Sequence, residues 1–525
     1  MTAPGRSLER TATSTSTSTT SERAAIAAGA LILMGALAAG ILAADAPLLV
    51  VAGAGALFLA VAMVLRPDVA TLLTIGIIYS NAAVVLVRFH GVPVIVAAVV
   101  PLMLIVPLAR DLVVRRLPVV APPALGWMVV LLAIYLISAL FSADTKRSWD
   151  AVVVFVTEGF ALYFLLINVI RTSEMVRYVT WILLAAGAAV SVLAVHQTVT
   201  GNYDSNYFGF AQADTAIRTG VTTLTGDVLQ PRMAGSIGET NRFAQTMLML
   251  IPLGIFRVAG ERSLTLRTIA AALTVVLTLG VVLSFSRGGA VGLAALVIAL
   301  PVLRLIRWRY VLFLFVMVAV ILAALPQYAN RIGSIVAATG LDSSGATAVD
   351  NSLLSRATET LAAALVVVDH PVIGVGPAMF PFYYEQYAHT VGLLVRNDVE
   401  REAHNLYLGI GAELGVPGLV VFLIIALVTV RMLLKARRAS IRRRPDLERL
   451  ATPFLLALMT YYVTGMFLHL SFGRFYWIML AIAGAAALVT LRETAADGEA
   501  DPAEPAGTRG RRAPAVRHRP VDQSV

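Results

Sequence analysis

The residues with the strongest chemical claim in this chain are arginines and a histidine set at the margins of long apolar runs. Arg287 stands in Ser284-Phe-Ser-Arg-Gly-Gly289 between two such runs, and Arg232, Glu239, Asn241 and Arg242 stand in QPRMAGSIGETNRFAQ at the entrance to another. Arg356 follows in DNSLLSRATETLAAALVVVDHPVIGVGPAMF, and His404 with Asn405 opens the segment EAHNLYLGIGAELGVPGLVVFL. A guanidinium keeps its charge and matches two phosphate oxygens at once, so clustered arginines suit the stabilisation of a phosphate leaving group. A neutral imidazole is the usual base near neutral pH and would take a proton from an attacking hydroxyl. An arginine in a membrane costs roughly 2.5 to 3.5 kcal/mol at a helix centre and less near the interface. Arg287 is therefore expected to line a wet cavity or meet an anion, unless it snorkels to the surface. Gly288 and Gly289 behind it would permit a tight turn and let backbone N–H groups approach that anion.

These residues need a frame, and composition dictates its kind. The 525 residues are 58% hydrophobic and only 14% charged, with a mean hydropathy of +0.82, outside the range of soluble globular proteins. Apolar runs of about 17 to 24 residues fit helices crossing a hydrocarbon core of ~30 Å rather than barrel strands. The expected fold class is all-α: a polytopic integral membrane protein with about fourteen transmembrane helices (12 to 14). The spans read as 24–43, 47–65, 69–87, 92–109, 118–141, 151–170, 178–198, 238–257, 267–285, 288–303, 310–326, 417–434, 451–468 and 474–490. The chain has no cysteine, which excludes disulfides, thiolate nucleophiles and Cys-ligated metals. A formal charge of +10 would point to nucleic acid in a soluble protein; between membrane spans, arginine clusters follow from the positive-inside rule, and no nucleic-acid partner is expected.

Lysine and arginine gather in alternate short loops: Arg110, Arg115 and Arg116; Arg171 and Arg177; Arg257, Arg262 and Arg267; Arg304, Arg307 and Arg309; and the run RMLLKARRASIRRRPDLER. That side, which also receives both termini, should be the cytoplasm, with Lys146 and Arg147 the exception on the other face. The outer face then carries two long loops, at about 199–237 and 327–416, and every candidate residue above. The second loop should contain an amphipathic helix capped at Asp350 or Asn351, with an apolar period through Leu353, Ala357, Leu361, Ala364 and Leu365 and a stop at Asp369-His370-Pro371. The organisation expected is a disordered cytoplasmic N-terminus (1–23), a membrane domain (24–490) and a disordered cytoplasmic tail (491–525).

The set of SFSRGG after a span, Arg356 followed by HPVIGVGPAMF, and AHNLYLGIGAELGVPGL leading into another span resembles the O-antigen ligase and O-antigen polymerase family of membrane glycosyltransferases. The resemblance covers about residues 225–435; the flanking spans agree only in hydropathy. It implies a GT-C-like membrane enzyme. Its activity would be transfer of a glycan from a polyprenyl diphosphate carrier to a glycan or glycolipid acceptor at the outer face of the cytoplasmic membrane. No cofactor and no metal are implied. Matched by motif, the catalytic roles fall on Arg232, Arg287 and His404, and substrate contacts on Arg356, Asn405, Glu239 and Asn241.

Alternatives stay open at this level. His90, His196, His370, His389 and His469 also map to the outer side or its edge, and Glu402, Glu413 and Glu239 are further bases or hydrogen-bond orienters. Asp398 and Glu400 could bind a divalent ion, although Arg396 and Arg401 beside them suit ordinary surface pairing. The aromatic stretches GNYDSNYFGF and MFPFYYEQY could form platforms for sugar rings or rest at headgroup level. A lipid-linked oligosaccharide flippase is the rival function; it would place charges at mid-membrane depth, where Glu158 is the clear acid.

Overall fold

The computed structural model describes residues 65–94, 100–214, 218–223, 226–229, 231–309, 351–393, 400–468 and 473–500, with a few isolated positions. The expected spans 24–43 and 310–326, and nearly all of 47–65, lie outside the described residues. Helices dominate: α1 (Pro67–Tyr79), α2 (Ala82–His90), α3 (Pro123–Leu140), α4 (Thr145–Val169), α5 (Ser173–Thr200), α6 (Thr240–Leu248), α7 (Ile251–Gly260), α8 (Leu264–Leu283), α9 (Arg287–Val302), α10 (Asn351–Asp369), α11 (Phe380–Val391), α12 (Leu406–Ser440), α13 (Pro445–Thr464) and α14 (Arg474–Ala500). Among the described residues seven helices are long and apolar enough to cross a bilayer, or eight if α1 and α2, bent by 56° about Asn81, count as one. The chain is thus a mostly helical, polytopic membrane protein. Within and beyond the expected span at 92–109, residues 100–114 form a series of short 3-10, α and π turns.

Among the helices that begin at a polar side chain satisfying their first N–H groups, as orphan donors at a helix start require, are α6, α9 and α12. Glu239 accepts from Asn241 N and Arg242 N for α6, Ser286 from Gly289 N for α9, and Asn405 from Tyr407 N and Leu408 N for α12. These caps stand in the stretches singled out for chemistry. Connectivity sends the opposite helix ends to the arginine-rich loops, where Arg177 and Arg257 share Glu261, and Arg437 donates to Leu303 O.

Lipid offers apolar side chains no gain over one another, so helices in a membrane associate through close packing. α14 is the most enclosed, with Tyr476, Trp477 and the residues to Ala483 almost fully buried. Gly292 lets α9 approach Thr464 and Leu248, both of which a Cβ there would strike. α14 also runs past its expected end: Glu493 accepts from Ser173 N at 2.9 Å, and Asp497 pairs with Arg444, so residues 491–500 continue the helix rather than starting a disordered tail.

Strands enter where only a loop was expected. β1 (Gln212–Asp214) pairs antiparallel with β4 (Arg232–Gly235), and between them β2 (Arg218–Thr223) pairs with β3 (Gly226–Leu229). The outer pair fixes Arg232 at the base of a hairpin. A second, smaller core, built from Ala362, Val366, Val375, Phe380, Tyr384 and Ala412, joins α10 and α11 to the first turns of α12.

Candidate functional site

The first half of the site is built around Asn241. Arg232, only 7% exposed, donates from Nε to Ser284 O at 2.9 Å and from Nη2 to Asn241 Oδ1 at 3.2 Å. Ser286 Oγ donates to the same Asn241 oxygen at 2.9 Å, and Asn241 Nδ2 donates to Glu239 Oε1 at 2.8 Å. One amide therefore ties Arg232 to the residue preceding Arg287 and to the α6 cap. Arg287 itself is half-buried at the first position of α9.

The glycines beside Arg287 do not play the part expected of them. Gly288 and Gly289 are helical; the left-handed residue that makes the turn is Phe285, with φ 50°. Gly289 N–H is taken by Ser286 Oγ at 3.2 Å. At Gly289 the missing side chain serves packing, since a Cβ would sit 3.2 Å from Ala244 Cβ, whereas one at Gly288 would make an ordinary contact 3.4 Å from Phe467 Cβ.

The second half centres on His404. Arg242, next to Asn241 on α6, forms an ion pair with Glu402. His404 Nδ1 lies 3.2 Å from Glu402 O and 3.3 Å from Glu359 Oε2, and Arg401 Nη1 lies 3.6 Å from Glu359 Oε1. Ser355 Oγ also donates to Glu359 Oε1 at 3.2 Å. His404 is left-handed, φ 47°, and precedes the cap, so it stands outside α12 rather than on it. Asn405 Nδ2 donates to Met466 O at 3.2 Å and Leu406 N to Gly465 O at 2.7 Å, pinning this turn to the end of α13.

α10 obeys its expected end but not its expected face. Leu361 is 48% exposed and Ala357 is exposed, whereas Ser355, Thr358, Glu359, Ala362, Ala363 and Val366 are buried. The helix is turned so that Glu359, 1% exposed, meets His404 and Arg401; a carboxylate can be buried when it has such partners. Glu359 is the site residue that sequence reasoning missed. Arg356, three positions earlier, shares its face and is half-buried.

The stretch HPVIGVG is architectural. α12 breaks at Gly415 (φ 70°, ψ 178°) before Pro417, which leaves carbonyls without helical partners. Val375 N donates to Ala412 O at 2.9 Å, Gly376 N to Glu413 O at 3.1 Å and Val416 N to Pro371 O at 2.8 Å. Glu413, buried at 3% exposure, accepts from the backbone at Ala378 and Phe380, so it orients this turn.

The other candidates disperse. His90 bonds to Phe208 O, His196 to Tyr207 Oη, and His370 stacks edge-on against Tyr383; His389 is exposed, and His469 and Asp398 lie outside the described residues. Glu400 is gripped by both Nη atoms of Arg147, at 3.0 and 2.8 Å, and Arg147 Nε donates to Ala378 O at 2.8 Å. That clamp gives the exceptional outer arginine a structural task. Glu158 lies 3.4 Å from Arg474 Nη1, and Arg474 Nη2 donates to Asn81 Oδ1 at 2.5 Å.

The helical membrane frame thus brings arginines and a carboxylate-backed histidine to the starts of α6, α9 and α12. Residues 272–423, which contain Arg287, Arg356, Glu359 and His404, match the family model of the O-antigen ligases. The likeness to the O-antigen ligases is confined to that stretch of the chain. No curated protein matches the chain.

Proposed function

We propose that this protein moves a glycan from a polyprenyl diphosphate carrier to a hydroxyl of a glycan or glycolipid acceptor at the outer face of the cytoplasmic membrane. The observation that carries the reading is the joining of three helix starts, α6, α9 and α12, by Asn241 with Ser286 and by Arg242 with Glu402. Helix N-termini favour anions, and here Arg232 and Arg287 stand beside two of them and His404 beside the third. A diphosphate fits that field.

In the reaction the bond from the anomeric carbon to the phosphate oxygen breaks, and a bond from that carbon to the acceptor oxygen forms. Charge builds on the diphosphate, which needs no protein acid; Arg232 and Arg287 stabilise it. His404 takes the acceptor proton on Nε2. The Glu402 carbonyl, 3.2 Å from Nδ1, favours the tautomer with its proton there, and the buried Glu359 carboxylate 3.3 Å away stabilises the ring once it is charged. Arg356, Asn405, Glu239 and Asn241 surround the substrates or fix the groups that do.

This reading keeps the GT-C-like architecture of about fourteen spans, a core at about 225–435 within a membrane domain at 24–490, and both termini in the cytoplasm, on the strength of the arginine distribution. Ligase and polymerase activity need the same arginines and base and differ only in acceptor. The deciding experiment is reconstitution of the full chain with a polyprenyl diphosphate glycan and candidate acceptors. Transfer that disappears in Arg287→Ala and His404→Ala is expected; normal transfer in both would refute the site. Glycan-lipid translocation without transfer would favour the flippase.

A further inference from the structure

A second concavity is connected to the Arg232 hairpin through Gln212. Phe89, His90, Asp204, Ser205, Asn206 and Phe208 line most of a cavity of 450 Å³ where the loop after α5 closes over the end of α2, a size that suits a small ligand. Its most unusual feature is the backbone: Tyr207 and Phe208, both bulky, are left-handed, with φ 47° and 59°. Such a conformation persists only where surroundings over-determine it, and it clusters at binding sites.

The surroundings here are specific. Gln197 Nε2 donates to Ser205 O and Ala211 O, each at 2.6 Å. His90 Nε2 is 2.9 Å from Phe208 O, and His196 Nδ1 is 2.6 Å from Tyr207 Oη. Gly209, φ 90°, packs on Phe89 where any Cβ would collide with the ring. The result of all this anchoring is a phenylalanine held out at 78% exposure, with exposed Asp204 and Asn206 beside it. The loop is also tied to the transfer site: Gln212 Nε2 reaches Gly209 O at 3.2 Å and Ser236 O at 3.4 Å, and Ser236 lies three residues before the cap Glu239.

We propose that this cavity is a saccharide subsite, holding one sugar unit of a glycan engaged at the transfer site to which Gln212 ties the loop; its role in turnover rests on the glycosyl-transfer reading above. Aromatic faces pack against the C–H face of a pyranose, and a carboxylate with an adjacent amide receives and donates the hydrogen bonds of neighbouring hydroxyls. The sugar belongs either to the donor glycan or to the acceptor.

The test uses the full chain in lipid nanodiscs, in a His404→Ala background so that nothing turns over. Saturation-transfer NMR with methyl glycosides of glucose, galactose, mannose and rhamnose should show transfer to at least one. That signal should fall roughly fivefold in Phe208→Ala and in Asp204→Asn and return in Phe208→Trp. No transfer to any glycoside, or equal transfer in Phe208→Ala, overturns the subsite. With His404 restored, a rise in KM for the acceptor alone or the donor alone assigns the sugar, and unchanged KM for both overturns the proposal. Glycoside binding by a protein that transfers no glycan would refute the proposed function while leaving the subsite standing.

Discussion

Glu359 Oε2 lies 3.3 Å from His404 Nδ1, across a contact that joins the surface helix α10 to the turn before α12. A buried carboxylate behind an imidazole fixes ring orientation and stabilises the charged form that appears as the base takes a proton. Glu359→Gln should keep the protein folded and lower kcat by ~100-fold with little change in KM. The pH dependence of kcat should shift in the same variant. Measured turnover with an unchanged pH profile would reduce Glu359 to a structural role.

Arg232 works through two bonds at once, to Ser284 O and Asn241 Oδ1, and a lysine cannot reproduce that fork. Arg232→Lys should therefore lose ~100-fold or more in kcat, close to the loss in Arg232→Ala. Asn241→Ala should show a milder form of the same defect, since it releases both Arg232 and Ser286. Near-normal rates in Arg232→Lys would mean that only its charge matters.

Gly415 is where the α12 break meets the HPVIGVG turn. A Cβ there would stand 2.6 Å from Val372 O, in a residue whose φ is 70°. Gly415→Ala should destabilise the protein by about 1–3 kcal/mol from its backbone alone, a positive φ with extended ψ that essentially only glycine adopts. Thermal unfolding in detergent reads the effect, with Gly392→Ala as comparison, since a Cβ at Gly392 (φ 69°) meets nothing within 4 Å. Equal midpoints for the two variants would show that the collision at Gly415 is absorbed without cost.

The pairing with Arg147 holds the Glu400 carboxyl below the usual carboxylate range. A carboxyl depressed in the folded state stabilises the fold above its unfolded pKa of about 4.3, and that contribution is lost as pH falls through the folded value. The clamp on residues 400–404 should thus loosen only below about pH 4, and weakly, because Glu400 is exposed. Hydrogen exchange of peptides over this stretch should accelerate there in the wild-type protein. In Glu400→Gln the exchange should already be faster at neutral pH and show less acid dependence; the same profile in both proteins would exclude the clamp as its cause.

Composition and periodicity determined the class of molecule, because a bilayer demands long apolar helices whatever their arrangement. Residue chemistry likewise marked Arg232, Glu239, Asn241, Arg287 and His404, since polar groups at the margins of apolar runs need partners. What the sequence could not determine was which partners. Asn241 binds Arg232 nine residues away and Ser286 at a separation of 45, and no local pattern encodes such a meeting. Glu359 escaped notice because α10 was read by its apolar period, while the side that packs inward carries Glu359 together with Ala362, Ala363 and Val366 and leaves Leu361 out. The glycines of SFSRGG were read for backbone freedom, yet it is Phe285 that bends and Gly289 that packs closely. Such choices follow from the competition among burial, charge pairing and close packing, which is decided only when the helices are assembled.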